Sequence, residues 1–470
     1  MARARLGSDA KFPRRAEGDT GNAERLIDRY ADRIRWVTDN GHWAVFNHKT
    51  HLWDINGADD RAAGLMRKTF ERMMKEEGPH YTGDERERWF KYCKSQGSAR
   101  ALRGALEVAK TKSTIHARMS DFDADKTALH CANGILDLEE LELYDHEASN
   151  LMTVGTPVAY KEGAQCEKFS EFLDAFLPEQ EVREYLQVLL GYSLLAGNRE
   201  KLLVMVKGRG NSGKSSLNTL MSTALGSYAQ GVELSMFKAN NQRGKADPAL
   251  AQALPARYIA ATEAGSAWSL HADQIKRMTG EDKMQARFLY GRGTVDRYPA
   301  FTPWIFTNEM PQVNGRDAAF MDRLIVIPMN SKPKVIDRLA TSLMKNDPAS
   351  LEAVLAWVVE GLALYLKDGL PDTPEAVEVA IEGSVADMSL IDAWLSDECE
   401  MGVKGKERGD SLYRAYEQWC EFNTIKEADR LNAIVFGRHL GGLGLRVVPG
   451  KVLTKEGRKS VRFWHGIGLK

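Results

Sequence analysis

The sequence predicts a mixed α/β fold organised around a parallel sheet, and three observations predict it. The first is the run Gly208-Arg209-Gly210-Asn211-Ser212-Gly213-Lys214-Ser215, which fits the pattern G-x-x-x-x-G-K-[ST]. The second is its setting. The apolar run Leu202-Leu203-Val204-Met205-Val206 before it reads as a buried parallel strand, and the stretch from Ser216 to Leu225 reads as a helix. The third is that Tyr258-Ile259-Ala260-Ala261-Thr262, Trp304-Ile305-Phe306-Thr307 and Leu324-Ile325-Val326-Ile327-Pro328 read as further short strands.

Strand, glycine-rich loop and helix together form a phosphate cradle. The glycines let backbone N–H groups turn inward, the helix N-terminus favours anions, and the Lys214 ammonium reaches the outer phosphates. On this reading residues Gly208, Arg209, Gly210, Asn211, Ser212, Gly213, Lys214, Ser215 and Ser216 hold a nucleotide, and the Ser215 hydroxyl meets Mg²⁺. A glycine-rich turn that binds nothing is the alternative, and the flanks argue against it.

Composition sets the bounds. A chain of 470 residues, 43% hydrophobic and 27% charged, is globular and long enough for two to four domains. Its net charge of −1 favours no class of partner, but the distribution is uneven. From Arg430 to Lys470, the residues Arg430, Arg438, Arg446, Lys451, Lys455, Arg458, Lys459, Arg462 and Lys470 face one acid, Glu456. So basic an end suits a polyanion, with a solvated face as the alternative. The basic N-terminus (Arg3, Arg5, Lys11, Arg14, Arg15) reads as a flexible arm. Five scattered cysteines without C-x-x-C spacing imply neither a disulfide framework nor a zinc site. No signal peptide or membrane-length apolar segment is read, so a cytoplasmic protein without a membrane partner is expected.

In chain order, residues 22–32 read as a helix, and 43–46 with 51–54 as a hairpin. Residues 62–76 and 84–109 read as charged helix, 125–158 as β-rich, and 169–195 as a helical block leading into the nucleotide fold. Residues 349–366 form another helix, and Pro371–Pro374 marks a linker. The end reads as helices 389–398, 411–422 and 432–441, then strands 445–448 and 461–464. Helices followed by a basic two-stranded wing suggest a winged helix-turn-helix domain.

Four further features bear on chemistry. The strand 258–262 leads into Glu263, a carboxylate able to orient an attacking water or the metal. The strand 304–307 leads into Asn308, whose amide can bond a γ-phosphate or the water, or merely cap the turn before Pro311. Arg323 precedes the last strand and fits an arginine finger facing a neighbouring subunit, with a salt bridge to Asp322 or Asp317 as the alternative. Residues 285–290 and 298–302 read as a hairpin. Its tip, Gly291-Arg292-Gly293-Thr294-Val295-Asp296-Arg297, carries two arginines for phosphates.

Taken in order, the phosphate loop, Tyr258–Glu263, Ile275-Lys276-Arg277-Met278-Thr279-Gly280-Glu281-Asp282, Ala286-Arg287-Phe288-Leu289-Tyr290, Thr307-Asn308-Glu309-Met310-Pro311 and Asp322-Arg323-Leu324-Ile325-Val326-Ile327-Pro328 resemble the superfamily 3 helicases. The type is the helicase half of phage, plasmid and poxvirus primase-helicases. The resemblance covers residues from about Ile115 to Lys470. It implies an AAA+-like ring, usually a hexamer, with ATP and Mg²⁺ bound between subunits. Lys214 and Ser215 then serve phosphate and metal, Glu263 the acidic strand and metal, Asn308 the polar sensor and Arg323 the finger. DNA contacts fall to Arg287, Arg292 and Arg297 of the hairpin and to Arg438, Lys451, Arg458 and Lys459 of the wing.

The implied domains are 1–114 of unassigned role, a collar-like 115–199, the ATPase core 200–330, a helical extension 331–385 and a winged helix 386–470. The pattern departs from the family in two places. One carboxylate ends the acidic strand where relatives often have two, and Asp322 stands where a second arginine is common. Residues 1–114 show no zinc-ligand cysteines and no cluster of catalytic aspartates, so a stand-alone helicase without primer synthesis is expected, with a separate primase or other replication proteins among the expected partners. The expected activity is ATP-driven translocation on single-stranded DNA and unwinding of forked DNA in phage or mobile-element replication. The alternative is an initiator that melts an origin without processive unwinding.

Overall fold

Four helices open the chain because four segments place apolar residues at helical spacing behind a suitable start. Acids begin Asp19–Tyr30, Ala58–Glu77 and Gly83–Ser95, where they face the positive helix end. The fourth, Ala99–Ala109, is capped by the Ser98 hydroxyl, which accepts from the Ala101 N–H. The structure, a computed structural model, describes residues 12–237, 248–262, 269–280, 282–287, 294–314, 317–331, 333, 344–387, 390–425, 427, 430–442, 445–454 and 457–470. Two units are distinguished. One holds residues 12–161 and 225–228, and the other holds the rest of the described chain.

In the first unit the four helices accompany a sheet of Leu52–Asp54, His42–Asn47, Ile34–Val37 and His116–Ala117, in that order. The hairpin read from sequence is present, with Phe46 opposite Trp53. Strand Ile34–Val37, which sequence reading missed, pairs antiparallel with it, Ile34 facing Val45. A second, three-stranded meander comprises Ala128–Cys131, Gly134–Asp137 and Leu143–Tyr144. Leu26, Trp43, Met66, Phe70, Trp89 and Ile115 meet in the main core.

A charged cluster is buried beside that core. The Arg25 and Glu77 side chains are both fully buried and paired. Arg25 Nε donates to both Glu77 oxygens at 3.0 and 2.9 Å, and its other nitrogens donate to Ala16 O, Asn22 Oδ1 and Arg15 O. Arg29 Nη2 adds a bond to Glu77 Oε1 at 3.1 Å, and the Trp89 ring lies 4.8 Å from the Arg25 guanidinium carbon. Such a pair offsets its desolvation only when the remaining polar atoms are matched, as here.

In the second unit, helices Glu167–Phe176 and Gln180–Tyr192 precede a five-stranded sheet. Its order is Leu324–Pro328, Leu203–Lys207, Thr302–Thr307, Tyr258–Thr262 and Ala229–Val232, all pairs parallel. The fold class predicted from the apolar runs is therefore present: a mixed α/β architecture with a parallel sheet. Among the described residues one helix, Pro348–Asp368, is long and apolar enough to cross a membrane. Here it lies against Gln180–Tyr192. A Cβ on Gly191 would fall 2.1 Å from Leu362 N, and one on Gly361 equally close to Gln187 O. Glycine at both positions is what allows so close a backbone approach.

The C-terminal module differs from the sequence reading by one strand. Helix Leu390–Glu398 is followed by strand Cys399–Arg408, then helices Gly409–Phe422 and Ala433–Gly442 and strands Arg446–Thr454 and Gly457–Leu469. The extra strand pairs with 457–469, which lies between it and 446–454. Its sequence is polar, contains Gly402 and shifts register between Met401 and Lys406, so no apolar alternation announced it. Trp394, Tyr416, Phe436, Leu440 and Trp464 form its core.

Replacing Glu77 by alanine leaves the Arg25 charge buried without its partner. A loss of about 3–5 kcal/mol is expected, read as a lower urea midpoint for tryptophan fluorescence. A midpoint within error of wild type would mean that the pair contributes nothing to the fold.

Candidate nucleotide site

Because the five strands run parallel, the residues that follow them gather at one edge of the sheet, where ligands of open α/β folds bind. Strand Leu203–Lys207 lies between Leu324–Pro328 and Thr302–Thr307, and its loop leads into helix Lys214–Leu225. Thr307 pairs with Lys207, so Asn308 begins its turn beside the loop.

The loop's backbone explains its residue types. Gly213 has φ +86° and Asn211 φ +66°, the left-handed region that glycine and asparagine tolerate best. A Cβ on Gly208 would lie 1.9 Å from Met329 O, and one on Gly213 would press on the Phe176 ring at 2.7 Å. Gly210, by contrast, faces open space. The loop is thus pinned at two glycines and open at the third.

Lys214 is buried at 8% exposure, and its ammonium is surrounded by oxygens. Nζ donates to Gly208 O at 2.5 Å, Arg209 O at 3.0 Å and Asn308 Oδ1 at 3.0 Å, with Ser212 Oγ at 3.3 Å. Ser215 and Asn308 are exposed at the mouth of this cluster. Of the residues read from sequence, the structure therefore brings together Gly208 to Ser216 and Asn308. Glu263 immediately follows strand Tyr258–Thr262 and lies outside the described residues.

Arg323 sits elsewhere. It precedes strand Leu324–Pro328, whose partner Leu203 begins the loop strand, so it marks the opposite edge of the sheet from Lys214. Five strand residues at about 3.3 Å each separate the two edges by about 16 Å. Its guanidinium bonds to neutral oxygens, with Nε to Thr279 Oγ1 at 3.1 Å and Nη1 to Ala319 O. Neither carboxylate alternative is realised. Asp317 accepts from Lys276 Nζ at 2.8 Å and caps the helix Ala318–Met321. The Lys276 ammonium, with the Phe320 N–H, holds the Asp317 carboxyl below its ordinary range. Thr279 belongs to a motif quoted above but had no role assigned. Nothing in sequence marks it as the anchor of Arg323, since 44 residues separate them.

The hairpin is shorter than the sequence reading and shifted in register. Met284–Arg287 pairs antiparallel with Thr294–Arg297, so residues 298–302 are not its second arm. Arg297 therefore stands opposite Met284 at the base, a correction to its placement at the tip. Arg287 pairs with Thr294, and Arg292 lies outside the described residues. In the C-terminal module Arg438 falls on helix Ala433–Gly442, Lys451 on strand Arg446–Thr454, and Arg458 and Lys459 on strand Gly457–Leu469.

Comparison with known proteins agrees with this architecture. Residues 23–178 match the family model described as D5 N terminal like. The chain is 26% identical over 219 residues to a protein of Acanthamoeba polyphaga mimivirus provisionally named a helicase, covering 46% of this chain and 23% of that one. It is 28% identical over 170 residues to one of Frog virus 3 (35% and 17%), and 24% identical over 273 residues to one of Invertebrate iridescent virus 6 (56% and 28%), both named likewise. The chain thus spans between 17% and 28% of the length of these relatives. In fold it is similar to the apo C-terminal region of NrS-1, with a TM-score of 0.50 at 12% identity over 96% of this chain and 100% of that one. The resemblance to the phage and viral primase-helicase type, drawn from six motifs, is shown by these matches.

The two glycines give a paired test. Gly208→Ala should abolish binding of a fluorescent adenine nucleotide, because the methyl meets the Met329 carbonyl. Gly210→Ala should bind within about twofold of wild type, since open space surrounds it. Equal effects of the two substitutions would refute the pinned-loop geometry.

Proposed function

We propose that the chain is the motor part of an ATP-dependent DNA helicase of the superfamily 3 type, serving phage or mobile-element replication. The observation that carries this reading is the juxtaposition of Lys214 and Asn308, 3.0 Å apart, at the shared edge of two parallel strands. A phosphate loop alone would suit a small-molecule kinase. A polar amide on the adjacent strand, a hairpin and a basic terminal module suit a motor on nucleic acid.

The residues fit ATP and Mg²⁺. The cradle tolerates no Cβ at Gly208 or Gly213, its lysine is desolvated, and Ser215 is exposed at the helix start. Bound there, ATP supplies the phosphoanhydride whose cleavage drives the motion. Lys214 would exchange its loop carbonyls for phosphate oxygens, a stronger charge-assisted contact. Ser215 and Glu263 would hold Mg²⁺, Glu263 would also orient the attacking water, and Asn308 would position it. Arg323, about 16 Å away across the sheet, cannot serve the nucleotide of its own chain. It is read as the finger for a neighbour in a ring, hexameric by resemblance, and Thr279 must release it.

The order helix, strand, helix, helix, strand, strand, with the last strand central in its sheet, supports reading residues 390–470 as a winged helix. Its basic residues would hold duplex or forked DNA.

Lys214→Ala should reduce hydrolysis by about 10²-fold or more, and Arg323→Ala by about 10³-fold while ATP affinity is kept. Mixing the two variants should restore part of the activity, because some interfaces then hold one intact lysine and one intact arginine. A mixture as inactive as its parents, in subunits shown to exchange, would exclude action between subunits.

A further inference from the structure

The first unit carries a charge distribution that the ATPase site does not use. From Arg88 to Arg103 the chain holds Arg88, Lys91, Lys94, Arg100 and Arg103 and no aspartate or glutamate. All five side chains are exposed, whereas Trp89 and Cys93 of helix Gly83–Ser95 and Ala105 and Leu106 of helix Ala99–Ala109 are buried. The basic residues therefore line the outer faces of two helices joined by a three-residue turn. Lys91 with Lys94, and Arg100 with Arg103, recur at i,i+3 and share a face.

These charges are not neutralised from within. Among the described residues none of the five is in an ion pair. Glu87, one helical turn before Lys91, and Asp84 are exposed acids at the start of the same helix and form no ion pair either, while the other nearby acids are committed elsewhere. Glu85 pairs with Arg14, Glu107 with Lys110, and Glu24 with Arg15 and Lys112. Asp19 packs against Gly104 without reaching Arg100 or Arg103 in an ion pair. The other three helices of the unit begin with acids, but Ala99–Ala109 has none in its first turn. It places Arg100 and then Arg103 towards its positive end, where the helix dipole repels them. An anion bound there would turn that repulsion into attraction.

We propose that Lys91, Lys94, Arg100 and Arg103 form a second DNA-binding surface, which grips the phosphate backbone independently of the hairpin and the C-terminal module. The proposal rests on the reading of the chain as a DNA motor. The contact is with the backbone and not the bases, because neither of these two helices carries an exposed aromatic ring. Trp89 is buried, Phe90 and Tyr92 are half-buried, and the Tyr92 hydroxyl is bonded to Asn22 Oδ1 at 2.9 Å. The surface gives the unit a role in holding DNA while the ring moves, independent of sequence and sensitive to salt.

The test uses the full chain with Lys91→Gln, Lys94→Gln, Arg100→Gln and Arg103→Gln combined, which keeps the aliphatic stems and removes the charge. Affinity is measured by fluorescence anisotropy for a labelled oligothymidylate and for a duplex of equal length across a salt series. At about 0.1 M salt the variant should bind about tenfold more weakly or worse. Its log–log salt slope should be shallower by about 3, at roughly 0.7 per single-strand contact and 0.9 per duplex contact. ATPase activity without DNA should be unchanged. Loss on the oligothymidylate alone assigns the surface to single strands, and loss on the duplex alone assigns it to the unopened fork. Unchanged affinity and slope on both would overturn the proposal. Should the quadruple variant melt early, Lys94→Gln/Arg100→Gln must show about half the slope change. A wild-type chain that hydrolyses ATP but binds neither DNA would instead reject the helicase reading, and this surface with it.

Discussion

The rest of the account depends on the parallel pairing of strand Leu203–Lys207 between Leu324–Pro328 and Thr302–Thr307. Pairing on both sides fixes the register of three chain segments far apart in sequence. It sets Thr307 beside Lys207, so that Asn308 meets Lys214, and it sets Leu324 beside Leu203, so that Arg323 lies at the far edge. One sheet thereby separates what would act within a subunit from what would act between subunits. The strands can be this apolar because the interior they enter is formed by Met205, Ile259, Ile305 and Val326, all fully buried.

At the near edge the decisive interaction is the solvation of one ammonium. Lys214 is largely cut off from water, which its own loop replaces with carbonyl and hydroxyl oxygens and Asn308 with an amide oxygen. A buried, unpaired ammonium would be costly, so these contacts hold both the side chain and the loop in place. They are neutral acceptors, which a phosphate oxyanion outcompetes. Arg323 follows the same logic at the far edge, held by a threonine hydroxyl and a carbonyl rather than a carboxylate. Among the described contacts, both cations are held by neutral oxygens.

The legible parts of the sequence were those in which chemistry and local order coincide. A strand, a glycine-rich loop and a helix are adjacent in the chain, so the placement of Gly208 to Ser216 needed no tertiary information. Asn308 was legible because an apolar strand delivers it to the same edge. The hairpin was misplaced because its register is set by the pairing of Met284 with Arg297, and nothing in its alternation distinguishes arm from tip. Strand Cys399–Arg408 was missed because its polar, glycine-containing sequence reads as a loop, and only its partner Gly457–Leu469, distant in the chain, makes it a strand. Likewise the buried Arg25–Glu77 pair spans 52 residues, so no local pattern in the sequence marks it.

Under the proposed function, nucleotide turnover at Lys214 would be coupled to DNA in an assembly of several 52.5 kDa chains. Measuring steady-state ATP hydrolysis with and without single-stranded DNA, on material whose mass is determined in the same buffer, tests it most directly. The account predicts slow turnover that DNA stimulates, in particles several times the mass of one chain. Turnover indifferent to DNA, in particles that remain single chains, would contradict it.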